Sequence, residues 1–248
     1  MSIQSVVRAF AILECINKCD GGGVSEIARE LNLNKSTVFG LIKTLESEGY
    51  IYQNQNNEKY YNSLKLYSLV SNTLEKLSIK DIARPYLNEL SEKYGETIHL
   101  VAITDNEGIY IDKIESTKSV RIYTKIGDTL PLYCTGVGKA ILAHRPFEKI
   151  IEYLNDHKLI KHTDQTITDP NILLEHLELI RKNGYSIDDA EKVDDLYCIA
   201  VPIFNKNREP IYGISLSMPK YRVEDQVTKE IIKDLFKIER KIEQLIIY

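Results

Sequence analysis

The segment Thr135-Gly-Val-Gly-Lys139 has the composition of a helix start that can bind an anion. Backbone N–H groups in the first turn of a helix lack intrahelical acceptors, so they suit a ligand carboxylate or carbonyl group. A phosphate loop would need Gly five residues before Gly138 and Ser or Thr after Lys139, where this chain has Tyr133 and Ala140. Nucleotide hydrolysis is therefore not expected. A purely structural helix start remains the alternative.

Two hydroxyl side chains lie in the apolar run Ile214-Ser-Leu-Ser-Met218. Ser215 and Ser217 are two residues apart, so in a strand they point to the same side of the sheet. Both hydroxyls are then expected to face one cavity. Solvated strand serines are the alternative interpretation.

Cysteine and histidine spacing gives no sign of a metal site. Cys15 and Cys19 lie four apart on one helical face, with no histidine or further cysteine near enough in sequence to complete a zinc motif. We expect both to be core residues, because free cysteine is often buried. His99, at a predicted strand start, is the histidine retained as a possible cavity residue. No metal or cofactor is predicted.

A second polar helix start carries the residue types that contact DNA. Lys35, Ser36 and Thr37 are of the kinds that reach phosphates and base edges, and a helix N-terminus favours a phosphate. Lys43 and Lys59 extend the basic side. Ser25 is the predicted N-cap of the preceding helix and a further candidate contact, so the predicted DNA-binding set is Ser25, Lys35, Ser36, Thr37, Lys43 and Lys59.

The elements around that helix start follow the order of a winged helix-turn-helix. Apolar periodicity predicts helices over 3–19, 25–32 and 35–48, and Asn34 can cap the third. Two aromatic and aliphatic runs over 50–61 flank the polar residues 54–57, which predicts a small hairpin, the wing. The third helix would enter the major groove. The alternative is that residues 34–37 merely cap a helix of an ordinary three-helix bundle.

The rest of the chain predicts a linking helix followed by a mixed domain. The linking helix covers 64–78, and the next helix covers 80–94 with Pro85 in its first turn. Predicted strands are 97–104, 109–114, 120–126, 197–204 and 211–217, and predicted helices are 135–144, 147–156, 170–183 and 223 to the end. The hairpins imply an α+β fold with mainly antiparallel pairing. The predicted domains are 1–62 for DNA binding, 63–79 as linker and 80–248 for effector binding and oligomerisation.

Charge limits how a DNA-binding unit can work here. The chain has a net charge of -4, and residues 1–62 carry six lysines and arginines against seven acidic residues. Electrostatic affinity per protomer should be modest, which favours dimeric binding to a two-part operator. The N-terminus lacks the pattern of a signal peptide, and no apolar run reaches the roughly 20 residues of a membrane span, so a cytoplasmic location is expected.

Several ordered segments resemble the IclR family of bacterial transcriptional regulators. They are Ser5-Val-Val-Arg-Ala-Phe-Ala-Ile-Leu-Glu14, Leu33-Asn-Lys-Ser-Thr-Val38, Leu45-Glu-Ser-Glu-Gly-Tyr50, Thr135-Gly-Val-Gly-Lys-Ala-Ile-Leu-Ala143, Thr163 with Thr166-Ile-Thr168, Gly184-Tyr-Ser-Ile-Asp-Asp189 with Glu191, and Cys198-Ile-Ala-Val-Pro-Ile203. The resemblance implies an N-terminal winged helix-turn-helix, a linking helix and a C-terminal GAF-like α+β effector domain. It also implies homodimers or homotetramers on palindromic double-stranded operator DNA.

The resemblance further implies a site for a small-molecule effector, expected to be a carboxylic acid. In family members that bind small organic acids, the corresponding positions hold the effector, with two residues contributing backbone and wall. The positions in this chain are Asp188, Cys198, Ser215 and Ser217, with Gly136 and Val137 as backbone and wall.

Two positions depart from the family pattern. Gly40 stands where the family usually has an arginine after Ser-Thr-Val-aromatic, which removes a DNA contact and weakens the helix by about 1 kcal/mol relative to Ala. Asp195 stands where a glycine commonly precedes the cysteine segment. The resulting acidic pair Asp194-Asp195 would disfavour an anionic ligand if it faced the site.

The expected function is a DNA-binding regulator, not an enzyme, whose operator binding is controlled by an effector. One alternative is a GAF-type thiol enzyme using Cys198, although no histidine adjoins it, and Asp188 and Asp194 nearby would raise the pKa of its thiol. The other is a ligand sensor that acts through protein partners without DNA, with Gly40 marking a degenerate helix-turn-helix.

Overall fold

The computed structural model describes residues 2–69, 79–104, 106–119 and 122–246. The chain divides into two compact units, Met1–Leu77 and Ser78–Tyr248. The predicted linking helix falls around this division: residues 65–69 are helical, and residues 70–78 lie outside the described part of the chain. None of the described helices is both long enough and apolar enough to cross a membrane.

Residues 2–62 of the first unit form three helices and a hairpin, as predicted. The elements are α1 (Gln4–Lys18), α2 (Val24–Glu30), α3 (Lys35–Ser47), β1 (Ile51–Gln53) and β2 (Tyr60–Asn62). β1 and β2 pair antiparallel, with Ile51 opposite Asn62. The apolar positions that predicted the helices form one buried cluster, which includes Ile12, Ile16, Ile27, Val38, Ile42 and Tyr60. Helix periodicity therefore identified the core that orients α3.

Two details of the first unit differ from the prediction. Ser25 is not the N-cap of α2, because the helix begins one residue earlier and Gly23 is the cap. The Glu26 carboxylate, at the third helical position, accepts the N–H of the cap residue Gly23 at 3.0 Å. Cys15 is buried as expected, but Cys19 is exposed because it follows the last residue of α1.

The second unit contains an antiparallel sheet between helices. Its elements are α4 (Ile79–Tyr94), β3 (Thr97–Ile103), β4 (Glu107–Ile114), β5 (Thr129–Pro131), α5 (Gly136–Leu142), α6 (Phe147–Asp156), α7 (Pro170–Asn183), β6 (Ser186–Asp189), β7 (Leu196–Phe204), β8 (Pro210–Pro219) and α8 (Asp225–Leu245). The six strands lie in the order β5-β4-β3-β8-β7-β6, all antiparallel. Helix α5 packs on β7 and β8, and α4 and α8 pack on β3 and β7 respectively. The α+β architecture is as predicted.

Three local predictions in this unit are wrong. Residues 122–126 form no strand, because Lys113 Nζ donates to the carbonyls of Ile122 at 3.2 Å and Thr124 at 2.9 Å, and the Tyr123 side chain is exposed. The sheet edge is instead β5, which pairs with β4. Strand β6 was also not predicted. Pro85 lies inside α4, beyond its first turn.

Candidate functional site

A cavity of about 240 Å³ lies over one face of the six-stranded sheet. Its lining includes every residue predicted to hold the effector: Gly136, Val137, Asp188, Cys198, Ser215 and Ser217. These residues come from one helix and three strands that are far apart in sequence. His99, the possible cavity residue, also lines it. The fold thus brings the whole predicted set together.

Strand register explains why these side chains meet. Asp188 in β6 is opposite Cys198 in β7, which in turn is opposite Ser217 in β8. Ser215 is opposite His99 in β3. Because residues directly opposite each other share a face of the sheet, the five side chains form two adjacent rows on the cavity side.

The start of α5 closes the cavity from above the sheet. Thr135 is its N-cap: the hydroxyl accepts the Gly138 N–H at 3.2 Å and donates to the Pro131 carbonyl at 2.8 Å. A Cβ on Gly136 would lie 3.2 Å from Cβ of Cys198, so glycine allows the helix to approach the strand this closely. The N–H groups of Gly136 and Val137 have no acceptor among the described residues.

The lysine of this segment points into the protein. Lys139 is fully buried; its Nζ forms an ion pair with Glu191 and donates to the Ile187 carbonyl at 2.8 Å. A lysine held this way cannot reach a ligand phosphate. This agrees with the sequence, which lacks the residues of a phosphate loop. The sequence did not predict this ion pair, since Glu191 is distant along the chain.

Two threonines fix the turn that carries Glu191. Thr163 Oγ1 donates to the Ala190 carbonyl at 2.6 Å, and Thr166 Oγ1 donates to the Glu191 carbonyl at 2.6 Å. Ala190 itself adopts a left-handed backbone conformation with φ of 60°. The threonine landmarks of the sequence therefore hold a strained turn beside the cavity rather than contacting its interior.

Asp188 is the most perturbed acidic group of the cavity. Its side chain is buried, and Oδ1 accepts the Glu191 N–H at 2.8 Å. Burial raises the pKa of Asp188 to about 7; the Glu191 carboxylate also raises it, whereas that N–H bond and Lys139 oppose the change. Near neutral pH the carboxyl group is therefore divided between its protonated and ionised forms.

The thiol of Cys198 is not activated. Burial, with a further contribution from Asp188, raises its pKa far above the usual range. His99 Nε2 hydrogen-bonds with Thr124 Oγ1 at 2.8 Å and not with the thiol. Burial, with a contribution from Lys113, lowers the pKa of His99 to about 3, so its ring is neutral. This arrangement does not favour the thiol-enzyme alternative.

Other cavity residues were missed because they lie in loops or, for Tyr110, on strand β4. Tyr110, Thr124, Asp128 and Lys192 line the cavity, and no periodicity or motif singles them out. The acidic pair Asp194-Asp195 is exposed and does not line the cavity. Asp195 has φ of 59°, a left-handed conformation that favours glycine and that aspartate tolerates.

The candidate DNA-contacting residues lie on the exposed side of the first unit. Lys35 and Ser36 are exposed at the start of α3, and Thr37 is half-buried beside them. Lys43 pairs with Glu46 at 2.7 Å, and Lys59 pairs with Glu26 at 3.4 Å. Among these three lysines, Lys35 alone forms no ion pair with a described residue. Ser25 is exposed in the first turn of α2.

Gly40 occupies an exposed position on α3. A Cβ built on it would have nothing within 4 Å in the described part of the protein. The glycine is therefore not required by packing, and the expected loss of helix propensity is not balanced by a close contact.

Comparison with known proteins identifies the class defined by this helix-turn-helix and cavity. Residues 71–244 match the family described as bacterial transcriptional regulator IclR C-terminal, and residues 5–55 match the IclR helix-turn-helix domain. The chain belongs to the IclR family of transcriptional regulators. It combines a DNA-binding helix-turn-helix with a C-terminal effector domain.

Individual relatives cover almost the whole chain. The HTH-type transcriptional regulator KdgR of Escherichia coli is 34% identical over 97% of this chain and 92% of its own length. The crystal structure of Thermotoga maritima IclR has a TM-score of 0.75 at 33% identity, covering 100% of both chains. An IclR homologue from Microbacterium hydrocarbonoxydans complexed with 4-hydroxybenzoate has a TM-score of 0.82 and covers 97% of this chain and 98% of its own. Its sequence identity is 21%, so this similarity shows the fold alone.

Proposed function

We propose that the cavity beside Asp188 binds a small carboxylic acid, and that its occupancy controls operator binding by the N-terminal unit. The observation that carries this proposal is the convergence of the six predicted residues on one cavity. Hydroxyls of Ser215 and Ser217, together with free N–H groups at Gly136 and Val137, offer neutral donors to a carboxylate. The Microbacterium homologue, solved with an aromatic carboxylate, supports this ligand class.

Ligand binding in this cavity is tested by thermal shift with a panel of carboxylic acids that includes 4-hydroxybenzoate. A ligand that binds the folded state raises the apparent unfolding temperature. The double variant Ser215→Ala/Ser217→Ala should lose the shift, whereas Ser91→Ala, which replaces a buried serine of α4 outside the cavity, should keep it. An equal shift in both variants would show that the acids bind elsewhere.

We infer that Lys35, Ser36 and Thr37 contact operator DNA, with Ser25, Lys43 and Lys59 beside them. Fluorescence anisotropy with DNA from upstream of the gene measures this binding as a function of salt. Lys35→Ala should weaken binding and lower the salt slope by about one. The control Lys18→Ala removes a lysine already paired with Glu30 and should leave the slope unchanged.

Loss of binding in Lys35→Ala and Thr37→Ala would exclude the sensor that acts without DNA. If instead both variants bind upstream DNA like the original protein, and that DNA is not preferred over random duplex, the proposal that α3 contacts operator DNA is wrong.

We infer that the protein acts as a homodimer or homotetramer, with residues 1–62 binding DNA, 63–79 linking, and 80–248 binding effector and assembling. The support is electrostatic: the DNA-binding segment is slightly acidic overall, so two paired units are needed for useful affinity. Sedimentation of the free protein and of its operator complex tests the stoichiometry. A single protomer on a specific site would refute it.

A further inference from the structure

We propose that the effector binds as an ionised carboxylate against the protonated carboxyl group of Asp188, so that effector binding takes up a proton whenever Asp188 is ionised. This inference rests on the proposed effector function of the cavity. Beyond that function, it specifies the charge state of Asp188 and the proton that is bound together with the ligand.

At the position of Asp188, the negative charge of the carboxylate can be neutralised by binding a proton. Its side chain is 1% exposed, and it forms no ion pair with a lysine or arginine among the described residues. The nearby buried cation, Lys139, is already occupied by Glu191 and the Ile187 carbonyl. Lys192 also lines the cavity, but its Nζ lies 3.2 Å from the His162 ring.

An ionised Asp188 would repel a carboxylate bound beside it, because the Asp188 side chain is buried and a second negative charge next to it would not be stabilised by solvent. A protonated Asp188 would instead donate a hydrogen bond to the ligand. Its Oδ1 already accepts from the Glu191 N–H, which orients the group beside Cys198 and Ser217. A carboxyl–carboxylate pair sharing one proton is a strong, charge-assisted interaction.

The other titratable groups around Asp188 do not account for a change near neutral pH. Burial raises the pKa of the thiol of Cys198 and of the phenol of Tyr110. It also raises the pKa of Cys134 to about 12. Glu191 and Lys139 neutralise each other as an ion pair. The charged groups Asp128 and Lys192 complete the surroundings and are present in every variant below.

The first experiment reads the proton on Asp188 directly, by infrared difference spectroscopy of the unliganded full-length protein over about pH 5 to about pH 9. We expect a protonated-carboxyl band that disappears around pH 7, as the raised pKa of Asp188 requires. Burial also raises the pKa of Glu239 to about 7, so Glu239 contributes to this band and Asp188→Asn should lose only the Asp188 part of it. Asp189→Asn, the matched control, removes the exposed neighbouring carboxylate that pairs with Lys220 and should retain it.

The second experiment measures Kd by calorimetry for 4-hydroxybenzoate and for acetate as a minimal carboxylate, between about pH 6 and about pH 8. Both probes stay ionised as carboxylates over this range. In the original protein and in Asp189→Asn, affinity should fall by up to about tenfold per pH unit above pH 7, the limit for one proton taken up. Asp188→Asn, whose amide always donates, should bind without that pH dependence.

Each outcome decides the inference. The band together with the Asp188-dependent fall in affinity supports it. The inference is overturned if no part of the protonated band below pH 7 is lost in Asp188→Asn. It is also overturned if carboxylate binding has the same pH dependence in Asp188→Asn. Both results leave the proposed effector site standing. Failure of both carboxylates to bind at any pH refutes the carboxylic-acid proposal itself and removes the inference with it.

Discussion

Removing the amine of Lys139 tests whether the buried ion pair holds the cavity together. Lys139 is 0% exposed in its side chain and Glu191 is 7% exposed, so neither charge can be rescued by water without rearrangement. Lys139→Met keeps the length and apolar stem of the side chain but leaves the Glu191 carboxylate without its cation. Breaking a buried pair in this way costs about 3–5 kcal/mol of unfolding free energy.

The double variant separates the ion pair from the packing. In Lys139→Met/Glu191→Gln no buried charge remains at this position. Replacing a whole buried pair is often close to neutral, so we expect the double variant to recover at least half of the Lys139→Met loss, about 2 kcal/mol. The surface pair Lys149–Glu152, with both side chains more than half exposed, is the matched control. Lys149→Met should cause no measurable change.

The two single variants should respond to pH in opposite directions. Burial already raises the pKa of Glu191, and loss of Lys139 removes an opposing contribution. A carboxyl group with a raised folded-state pKa loses stability as pH rises, so Lys139→Met should be least destabilised in acid. Glu191→Gln instead leaves a buried ammonium group, whose cost is relieved as pH rises and the amine loses its proton.

The assay is guanidinium unfolding followed by far-UV circular dichroism and tyrosine fluorescence, since the chain has 16 tyrosines and no tryptophan. The two units can unfold separately, so Ile42→Ala in the core of the first unit identifies its transition. The reasoning is refuted if Lys139→Met is as stable as the original protein, or if the double variant is destabilised by the sum of the two singles.

Local geometry also predicts the effects of changes at Gly40, Gly138, Asp169 and Cys19. Gly40→Ala should raise the free energy of unfolding by about 1 kcal/mol, because nothing lies near the added methyl group. Gly138→Ala should lower the free energy of unfolding, because its Cβ would lie 2.6 Å from Cα of Leu132. Thermal unfolding measures both changes. Asp169→Ala should cost about 1 kcal/mol in chemical unfolding, because the Asp169 carboxylate caps α7 through the Asn171 and Ile172 N–H groups. A thiol reagent should modify Cys19 alone rapidly in the native protein, because the other three cysteines are buried.

The fold was predictable where side-chain periodicity and caps act locally. Helices α6 and α7 begin and end where the sequence predicted, because Pro146 and Asp169 precede them and Gly184 ends α7 with φ of 78°. The wing was equally clear, since a polar tip separates two apolar runs. These signals depend on neighbouring residues, so a single sequence contains them.

Predictions failed where tertiary contacts override local pattern. The apolar alternation over 122–126 favours a strand, yet the side chain of Lys113 takes two of its carbonyl groups. Strand β6 is short and polar, and its pairing with β7 supplies what its sequence does not signal. The Lys139–Glu191 pair joins residues far apart in sequence, so no spacing rule could find it.

The segment from Thr135 to Lys139 thus has an electrostatic role other than phosphate binding. Gly136 lets α5 approach β7, and Lys139 neutralises Glu191, whose N–H group holds Asp188. Lys139 lowers and Glu191 raises the pKa of Asp188, so their pairing partly cancels the two effects. Without the lysine, an ionised Glu191 would act alone and move that pKa upward. The ion pair therefore links the stability of the cavity to the pH at which Asp188 can hold its proton, and disturbing the pair should change both.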